Sequence, residues 1–319
     1  MINNVTFFKY YINSKINRYY INKLGIRKYI KKKKIYAGLE VKSSKDINYI
    51  IYKKIKEGKP FLVSRFGANE LSALKTFDFQ MKSRYKNNIN QLKNCAGFFS
   101  ANENELYKFK DLMKDSIENI DILGIWMLPF EDFYIKNNMK SLSNISYLLD
   151  IEPWSNDYKH WSTALSGKKV LVIHPFEESI KSQYLNKDNI FKGTEILPDF
   201  KLKTLKAVQT IANEKDNRFK NWFDALEYMY SEAMKIEFDI AIIGCGAYGL
   251  PLASKIKMSG KQAIHLGGAT QLMFGIKGKR WEENEAFGYV RKFFNESWIY
   301  PNENERPKYA NKVENGCYW

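Results

Sequence analysis

The sequence predicts an α/β fold in which a doubly wound, mostly parallel, Rossmann-like sheet follows a basic helical extension. Short apolar runs bounded by turn residues alternate with segments of helical period, which is the pattern of βα units. The runs are almost continuously apolar, as expected of strands covered on both faces. With 319 residues, 45% of them hydrophobic, the chain is long and apolar enough for one large packed domain.

Five apolar runs are predicted to form the strands, because each is short and ends in a turn or polar residue. They cover residues 59–67, 119–126, 168–176, 238–246 and 261–268. Helices are predicted over 69–77 and 221–237, where apolar residues recur at helical spacing. The second helix lies between two of these strands and is therefore expected to cross over the sheet.

The chain is expected to divide into three parts. Residues 1–40 form the basic extension, residues 41–300 a single domain without internal repeats, and residues 301–319 an irregular tail. The tail contains two prolines and few periodic apolar residues, and its final Cys-Tyr-Trp is expected to anchor it.

Positive charge is concentrated in the extension. Residues 1–39 hold ten Lys and Arg and no acid, which leaves 41 Lys and Arg against 35 Asp and Glu elsewhere. Apolar side chains recur there at helical spacing: Phe7, Phe8, Tyr11, Ile12, Ile16, Tyr19 and Tyr20. Residues 1–36 therefore fit either a helix on an anionic membrane surface or a helix packed on the domain with solvated charges. No nucleic-acid-binding motif is present, so nucleic acid is not an expected partner.

Cysteine usage and hydropathy predict a cytoplasmic location. Cys95, Cys245 and Cys317 are far apart and form no CxxC or Cys/His cluster, which favours a reducing compartment. No stretch has the roughly 20 apolar residues of a membrane span, and no signal peptide is recognisable. If the extension binds lipid, the protein is expected to be peripheral on the inner face of the membrane.

The most informative motif is a glycine turn. The apolar run 240–243 is followed by Gly244-x-Gly246-x-x-Gly249 and a helical segment. Glycines let the backbone approach a phosphate, and a helix start offers unpaired N–H donors. NAD binding would also need an acidic residue at the end of the next strand, but no Asp or Glu follows there before Glu282. The sequence therefore favours a phosphate or diphosphate cradle over a dinucleotide site, with a purely structural turn as the alternative.

Polar and small residues cluster at the carboxyl ends of the predicted strands, where ligands bind in sheets of this kind. They are Ser64, Arg65, Gly67, Glu70, Trp126, His174, Glu177, Gly244, Gly246, Tyr248, His265, Gly267 and Gly268. The histidines fit either a hydrogen bond to phosphate or sugar, or a structural role. Beyond the last glycines, Lys279 and Arg280 are expected to contact a diphosphate, and Trp281 to stack on a base. A solvated basic loop is the alternative for this segment.

Three stretches together resemble the bacterial glycosyltransferases of the GT-D fold. They are "FLVSRFGANEL", "HPFEESI" and "DIAIIGCGAYGLPLASKIKMSGKQAIHLGGATQLMFGIKGKRW", and the resemblance spans roughly residues 45–300. It implies transfer of a sugar from a nucleotide-sugar donor, most simply a UDP-sugar. The implied acceptor is a surface glycan, glycolipid or glycoprotein.

The resemblance also implies roles for individual residues. The family's Asp-x-Glu element after Arg-Phe-Gly binds metal and donor; here Arg65, Gly67 and Glu70 match, while Ala68 replaces the Asp. Arg65 and Glu70 are thus the expected catalytic residues. Because a carboxylate ligand is lost, either Glu70 and the diphosphate hold Mn²⁺ or Mg²⁺, or Lys279 and Arg280 neutralise the leaving group without metal.

The residues expected to bind the nucleotide sugar extend over the whole edge of the sheet. They are Ser64, Gly67, His174, Gly244, Gly246, Tyr248, Gly249, His265, Gly267, Gly268, Lys279, Arg280 and Trp281. Ala68 also supports a second hypothesis, a non-catalytic nucleotide- or glycan-binding subunit of a polysaccharide biosynthesis complex.

Overall fold

The computed structural model describes residues 4–99, 102–155, 158–211, 214, 216–313 and 316–319. Its centre is a nine-stranded sheet. The strands are β1 (Ile35–Tyr36), β2 (Leu39–Lys42), β3 (Phe61–Arg65), β4 (Ile122–Ile125), β5 (Asn144–Tyr147), β6 (Lys169–His174), β7 (Lys201–Lys206), β8 (Ile240–Ile243) and β9 (Gln262–His265). Their order across the sheet is β1-β2-β5-β4-β3-β9-β8-β6-β7. All pairs are parallel except β1–β2, so the predicted doubly wound α/β class is confirmed.

The five predicted strands correspond to β3, β4, β6, β8 and β9. The sequence analysis did not predict the other four strands, β1, β2, β5 and β7. The unpredicted strand β7 reads KLKTLK and shows no buried position. It is the terminal strand of the sheet and pairs with β6. Lysines on such an edge discourage pairing with other chains. Because they also interrupt the apolar run, the sequence does not indicate a strand there. The other three are only two to four residues long.

Most of the helices lie between strands along the chain, and helices cover the sheet on both faces. They are α1 (Asn4–Leu24), α2 (Ile26–Lys32), α3 (Ser44–Glu57), α4 (Ala68–Asp78), α5 (Tyr85–Cys95), α6 (Glu103–Glu118), α7 (Glu131–Asn137), α8 (Glu177–Leu185), α9 (Lys187–Ile190), α10 (Trp222–Lys235), α11 (Gly249–Met258), α12 (Lys279–Glu283) and α13 (Gly288–Arg291). The predicted helices 69–77 and 221–237 are α4 and α10. Helix α10 begins where it does because the Asn221 side chain accepts from the backbone N–H groups of Phe223 and Asp224.

Two apolar clusters form the core, one on each face of the sheet. Along β8, Ala241 and Ile243 belong to one cluster and Ile240 and Ile242 to the other. Side chains of a strand alternate between the two faces, so a continuous apolar run supplies both layers at once. The central strands β8 and β9 are therefore buried along their whole length, up to the edge where they end.

The basic extension is packed on the domain by one face of α1. The Phe7 ring lies 5.3 Å from the Phe79 ring and 5.2 Å from that of Phe130, and Tyr10 lies 5.1 Å from Phe133. The packed-helix alternative is thus correct for this face. Within the described part of the chain, no helix is both long and apolar enough to cross a bilayer.

Candidate functional site

A cavity of about 190 Å³ opens at the carboxyl ends of the four central strands, β3, β9, β8 and β6. Twelve of the residues that the sequence analysis singles out line it. They are Arg65, Gly67, Glu70, Trp126, His174, Gly244, Gly246, Tyr248, His265, Gly267, Gly268 and Arg280. Residues far apart in the chain therefore meet because parallel strands end at one edge.

The N-termini of helices surround this cavity. Gly67, the N-cap of α4, lines it, and so does the 3₁₀ turn Gly246–Tyr248 that leads into α11. These helices have 11 and 10 residues. The first backbone N–H groups of a helix lack intrahelical partners, and the helix dipole makes this end electropositive. The arrangement suits an anionic group such as a phosphate.

Arg65 is held in place at the end of β3. Its Nε and Nη2 donate to the Phe66 carbonyl oxygen at 3.2 and 3.1 Å, and its guanidinium stacks 5.0 Å from the Trp126 ring. The indole Nε1 of Trp126 donates to the same carbonyl at 3.2 Å. Burial lowers the pKa of Arg65 from its ordinary value, and the neighbouring Tyr318 and Glu70 oppose that shift. Arginine still remains a cation at neutral pH.

Arg280 is the second cation of the cavity. Its Nη1 donates to the Tyr318 hydroxyl at 2.8 Å, and the guanidinium lies 4.4 Å from the centre of that ring. The backbone N–H of Arg280 donates to the Cys317 carbonyl oxygen at 3.0 Å. The tail therefore positions this arginine, and a charge that is fixed in advance binds an anion at low entropic cost.

His174 and His265 end β6 and β9, and both are neutral at physiological pH. Burial lowers the pKa of each to about 3, with the Arg65 charge adding to the effect at His265. The Phe176 backbone N–H donates to Nδ1 of His174 at 3.0 Å. This contact leaves Nε2 to carry the proton, so His174 is a neutral donor at the cavity wall. Nδ1 of His265 instead shares a hydrogen bond of 2.9 Å with the Ser64 hydroxyl.

Packing requires glycine at several positions of the Gly244–Gly249 turn and at Gly268. A Cβ on Gly244 would lie 2.5 Å from the Gly267 carbonyl oxygen, one on Gly249 would collide with the His265 ring, and one on Gly268 with Tyr318. Gly246 has φ +58°, and its Cβ would lie 2.9 Å from the Ala96 carbonyl oxygen. The structural-turn alternative thus explains much of the motif, and the cavity uses the same backbone.

We expect Gly246→Val to destabilise the fold and not only to block a phosphate. A branched side chain at positive φ costs about 1–2 kcal/mol, and overpacking against Ala96 about 1–3 kcal/mol more. Gly167→Val is the matched control, since Gly167 also has positive φ (+76°) but open space around its Cβ. Urea unfolding of both variants measures the difference, and equal stabilities would contradict the role assigned to the Ala96 contact.

Of the residues expected to bind the nucleotide sugar, four lie outside the cavity lining. Glu177, which the sequence places at the same edge, also lies outside it and accepts from the Thr204 hydroxyl at 2.7 Å. Ser64 is fully buried beneath the cavity, and Gly249 packs against His265. The expected base-stacking role of Trp281 is wrong for this structure, because its side chain is only 2% exposed and belongs to an apolar cluster. Lys279 is exposed to solvent away from the lining. Of the two basic residues Lys279 and Arg280, Arg280 lines the cavity and Lys279 does not.

The tyrosine of the glycine turn is largely structural. Tyr248 is 1% exposed, and its ring stacks on Trp222 with centroids 4.7 Å apart. Its hydroxyl lies 3.3 Å from that of Thr210, which in turn donates to the Gly97 carbonyl oxygen at 2.6 Å. Tyr248 thus fixes the floor of the cavity.

Several residues that line the cavity were not predicted from the sequence as site residues. They are Ala96, Gly97, Gln209, Thr210, Gln271, Tyr318 and Trp319. Tyr318 and Trp319 were expected to anchor the tail but not to border a site. Gln271 lies in the 3₁₀ helix Gly267–Phe274, which follows β9. The other four lie in loops or next to a helix end without a motif, and only the tertiary fold brings them to the cavity.

Glu70 lies in the first turn of α4, and its carboxylate folds over Gly67 so closely that any side chain there would collide with it. Ala68, in the place of the family's Asp, also lines the cavity. Among the residues that the structure describes, no three His, Cys, Asp or Glu side chains are grouped as around a metal ion. The described side chains thus form no three-ligand cage, and a divalent cation here would be held as Mg²⁺ often is, by one carboxylate together with substrate phosphates and water.

The sheet and the cavity at its carboxyl edge define a Rossmann-type α/β protein. The family model described as a GT-D fold-like domain matches residues 42–273, and the chain belongs to this family. Its fold is thus of glycosyltransferase type, as the sequence resemblance implied. No curated protein and no solved structure matches the chain.

Proposed function

We propose that the protein is a glycosyltransferase that moves a sugar from a nucleotide-sugar donor, most simply a UDP-sugar, to a surface glycan, glycolipid or glycoprotein acceptor. The family supplies the fold. The observation that carries the proposal is the convergence of two helix N-termini and two arginines, Arg65 and Arg280, on one cavity. A diphosphate is the ligand whose charge this arrangement matches.

The proposed chemistry is displacement at the anomeric carbon. The acceptor hydroxyl forms the new bond to that carbon while the bond to the diphosphate oxygen breaks, and the electron pair leaves with the nucleoside diphosphate. Negative charge grows on the leaving group, where Arg65, Arg280 and the backbone N–H groups stabilise it. His174 adds a neutral donor through Nε2–H, suited to a phosphate or sugar oxygen.

Glu70 is the candidate acceptor of the hydroxyl proton. It is the carboxylate that the sequence resemblance singled out, and it lies at the cavity beside Arg65. In the proposed mechanism the two arginines at the cavity, Arg65 and Arg280, balance the charge of the leaving group. This assignment gives Glu70 a role in the reaction and not in holding a cation.

The first test is a thermal-shift panel. We expect UDP or a UDP-sugar to raise Tm, because a ligand that binds only the folded state stabilises it by about 2.7 kcal/mol at one hundred times Kd. NAD should give no shift, since the acid that would bind its ribose is missing. A shift with NAD and none with UDP, GDP, CDP or dTDP would contradict the proposal.

A non-catalytic nucleotide- or glycan-binding subunit is the second candidate, and Ala68 is the observation that favours it. Incubation with a set of nucleotide sugars, followed by measurement of released nucleoside diphosphate, distinguishes the two. Nucleotide binding without release, for every donor and in the presence of lipid or glycan acceptors, would support the binding subunit.

A further inference from the structure

Helix α1 packs on the domain through one face and leaves a second, apolar face exposed. Phe7, Tyr10, Ser14 and Asn17 follow one another at spacings of three and four and face the domain. On the opposite side of the helix lies what we call the outer stripe: Val5, Phe8, Ile12, Ile16 and Tyr19. Their side chains are 73%, 64%, 50%, 46% and 60% exposed.

A continuous stripe of this kind has a different meaning from scattered exposed residues. At 3.6 residues per turn, positions 5, 8, 12, 16 and 19 share one side of a helix, opposite the packed side. Packing of α1 does not require apolar residues there, since the inner face already provides the contacts. Contiguous exposed apolar surface of this kind marks an interaction site.

Positive charges flank the outer stripe. Lys9, Lys15, Arg18 and Lys23 are all exposed along α1, and no Asp or Glu occurs in the sequence before Glu40. A second copy of the chain docked on the same surface would bring these like charges face to face, which is unfavourable. The occupant should therefore be anionic in charge and apolar in its interior.

We propose that the outer stripe and its flanking cations bind the surface of an anionic lipid bilayer, with α1 lying in the plane of that surface. The apolar side chains would enter the region between headgroups and acyl chains, and the lysines and arginine would contact the headgroups. The inner face of α1 stays on the domain, so the bilayer binds the folded protein without unfolding the helix.

This inference goes beyond the proposed glycosyl transfer and does not depend on it. The two are physically connected, because Phe130 packs on Phe7 and belongs to the same short loop as Trp126, which lines the cavity. If the acceptor is a glycolipid, binding through the outer stripe brings the enzyme to the surface that carries it.

The test is sedimentation of the full chain with phosphatidylcholine vesicles, with and without phosphatidylglycerol. We expect salt-sensitive binding that requires phosphatidylglycerol. The variant Phe8→Ser/Ile12→Ser/Ile16→Ser should lose about tenfold or more in binding. Deleting residues 1–36 is less informative, because it would also uncover Phe79, Phe130 and Phe133.

The matched control is Leu185→Ser/Met258→Ser, which removes apolar side chains that are 91% and 68% exposed elsewhere on the protein. It should bind vesicles like the unmodified chain. Circular dichroism and the UDP-induced thermal shift should be unchanged in both variants, so a failure of the nucleotide proposal is seen separately. Equal vesicle binding by both variants, or none by the unmodified chain, would overturn the inference. A dimer that dissociates in the outer-stripe variant would assign the stripe to a second copy instead.

Discussion

Glu70→Gln is expected to lower kcat about 100-fold or more, because a general base contributes roughly 10²–10⁴ to the rate. The amide keeps the size and shape of the side chain but cannot accept a proton. Binding of UDP should change by no more than about threefold, since a group that acts in the transition state contributes little to ground-state affinity. Steady-state kinetics together with calorimetric titration of UDP separates the two effects.

The control for this prediction is Glu103→Gln. Glu103 also lies in the first turn of a helix, α6, but is exposed and away from the cavity. Its replacement should leave both turnover and UDP affinity unchanged. If Glu70→Gln keeps its turnover, the catalytic assignment is wrong. If it instead loses UDP binding and turnover to the same extent, Glu70 serves the donor and not the proton transfer.

Arg280→Gln should weaken UDP binding about 10- to 100-fold, since hydrogen bonds to charged groups contribute about 1.5–3 kcal/mol. The neighbouring Lys279 is the matched control, because it is exposed outside the cavity lining. Lys279→Gln should change the affinity by less than about twofold, as expected for a solvated surface charge. The two variants remove the same formal charge at adjacent positions.

Titration of UDP at low and moderate salt decides this comparison. Arg280 also contacts Tyr318, so the thermal stability of both variants should be measured beside the affinity. Equal losses of UDP affinity in the two variants would mean that the overall positive potential attracts the nucleotide, and not the position of Arg280 at the cavity. No loss in either would place the diphosphate elsewhere in the cavity.

Much of the fold and part of the candidate site follow from local sequence patterns. The five central strands are recognisable because continuous apolar runs bury both faces of a strand. The rule that ligands bind at the carboxyl ends of such strands brings together Arg65, Glu70, His174 and the Gly244–Gly249 turn from the sequence alone. The edge strand β7 was not predicted, because its exposed lysines interrupt the apolar pattern expected of a strand.

Adjacent residues of one sequence motif have side chains in different environments in the folded protein. Arg280 reaches the cavity, Lys279 points to solvent, and Trp281 enters the core, although all three follow one glycine turn. Their directions depend on the start of α12 and on the tail that packs beside it, and neither is encoded within the motif itself.

The sequence by itself therefore determined the fold class, the edge of the sheet at which the site lies, and the apolar and basic character of α1. Only the tertiary structure decided which side chains reach the cavity and which face of α1 remains exposed. The physical reason is that apolar periodicity and glycine turns act over a few neighbouring residues. The direction of a loop side chain and the pairing of helix faces depend on contacts between distant segments, such as Arg280 with Tyr318 and Phe7 with Phe130.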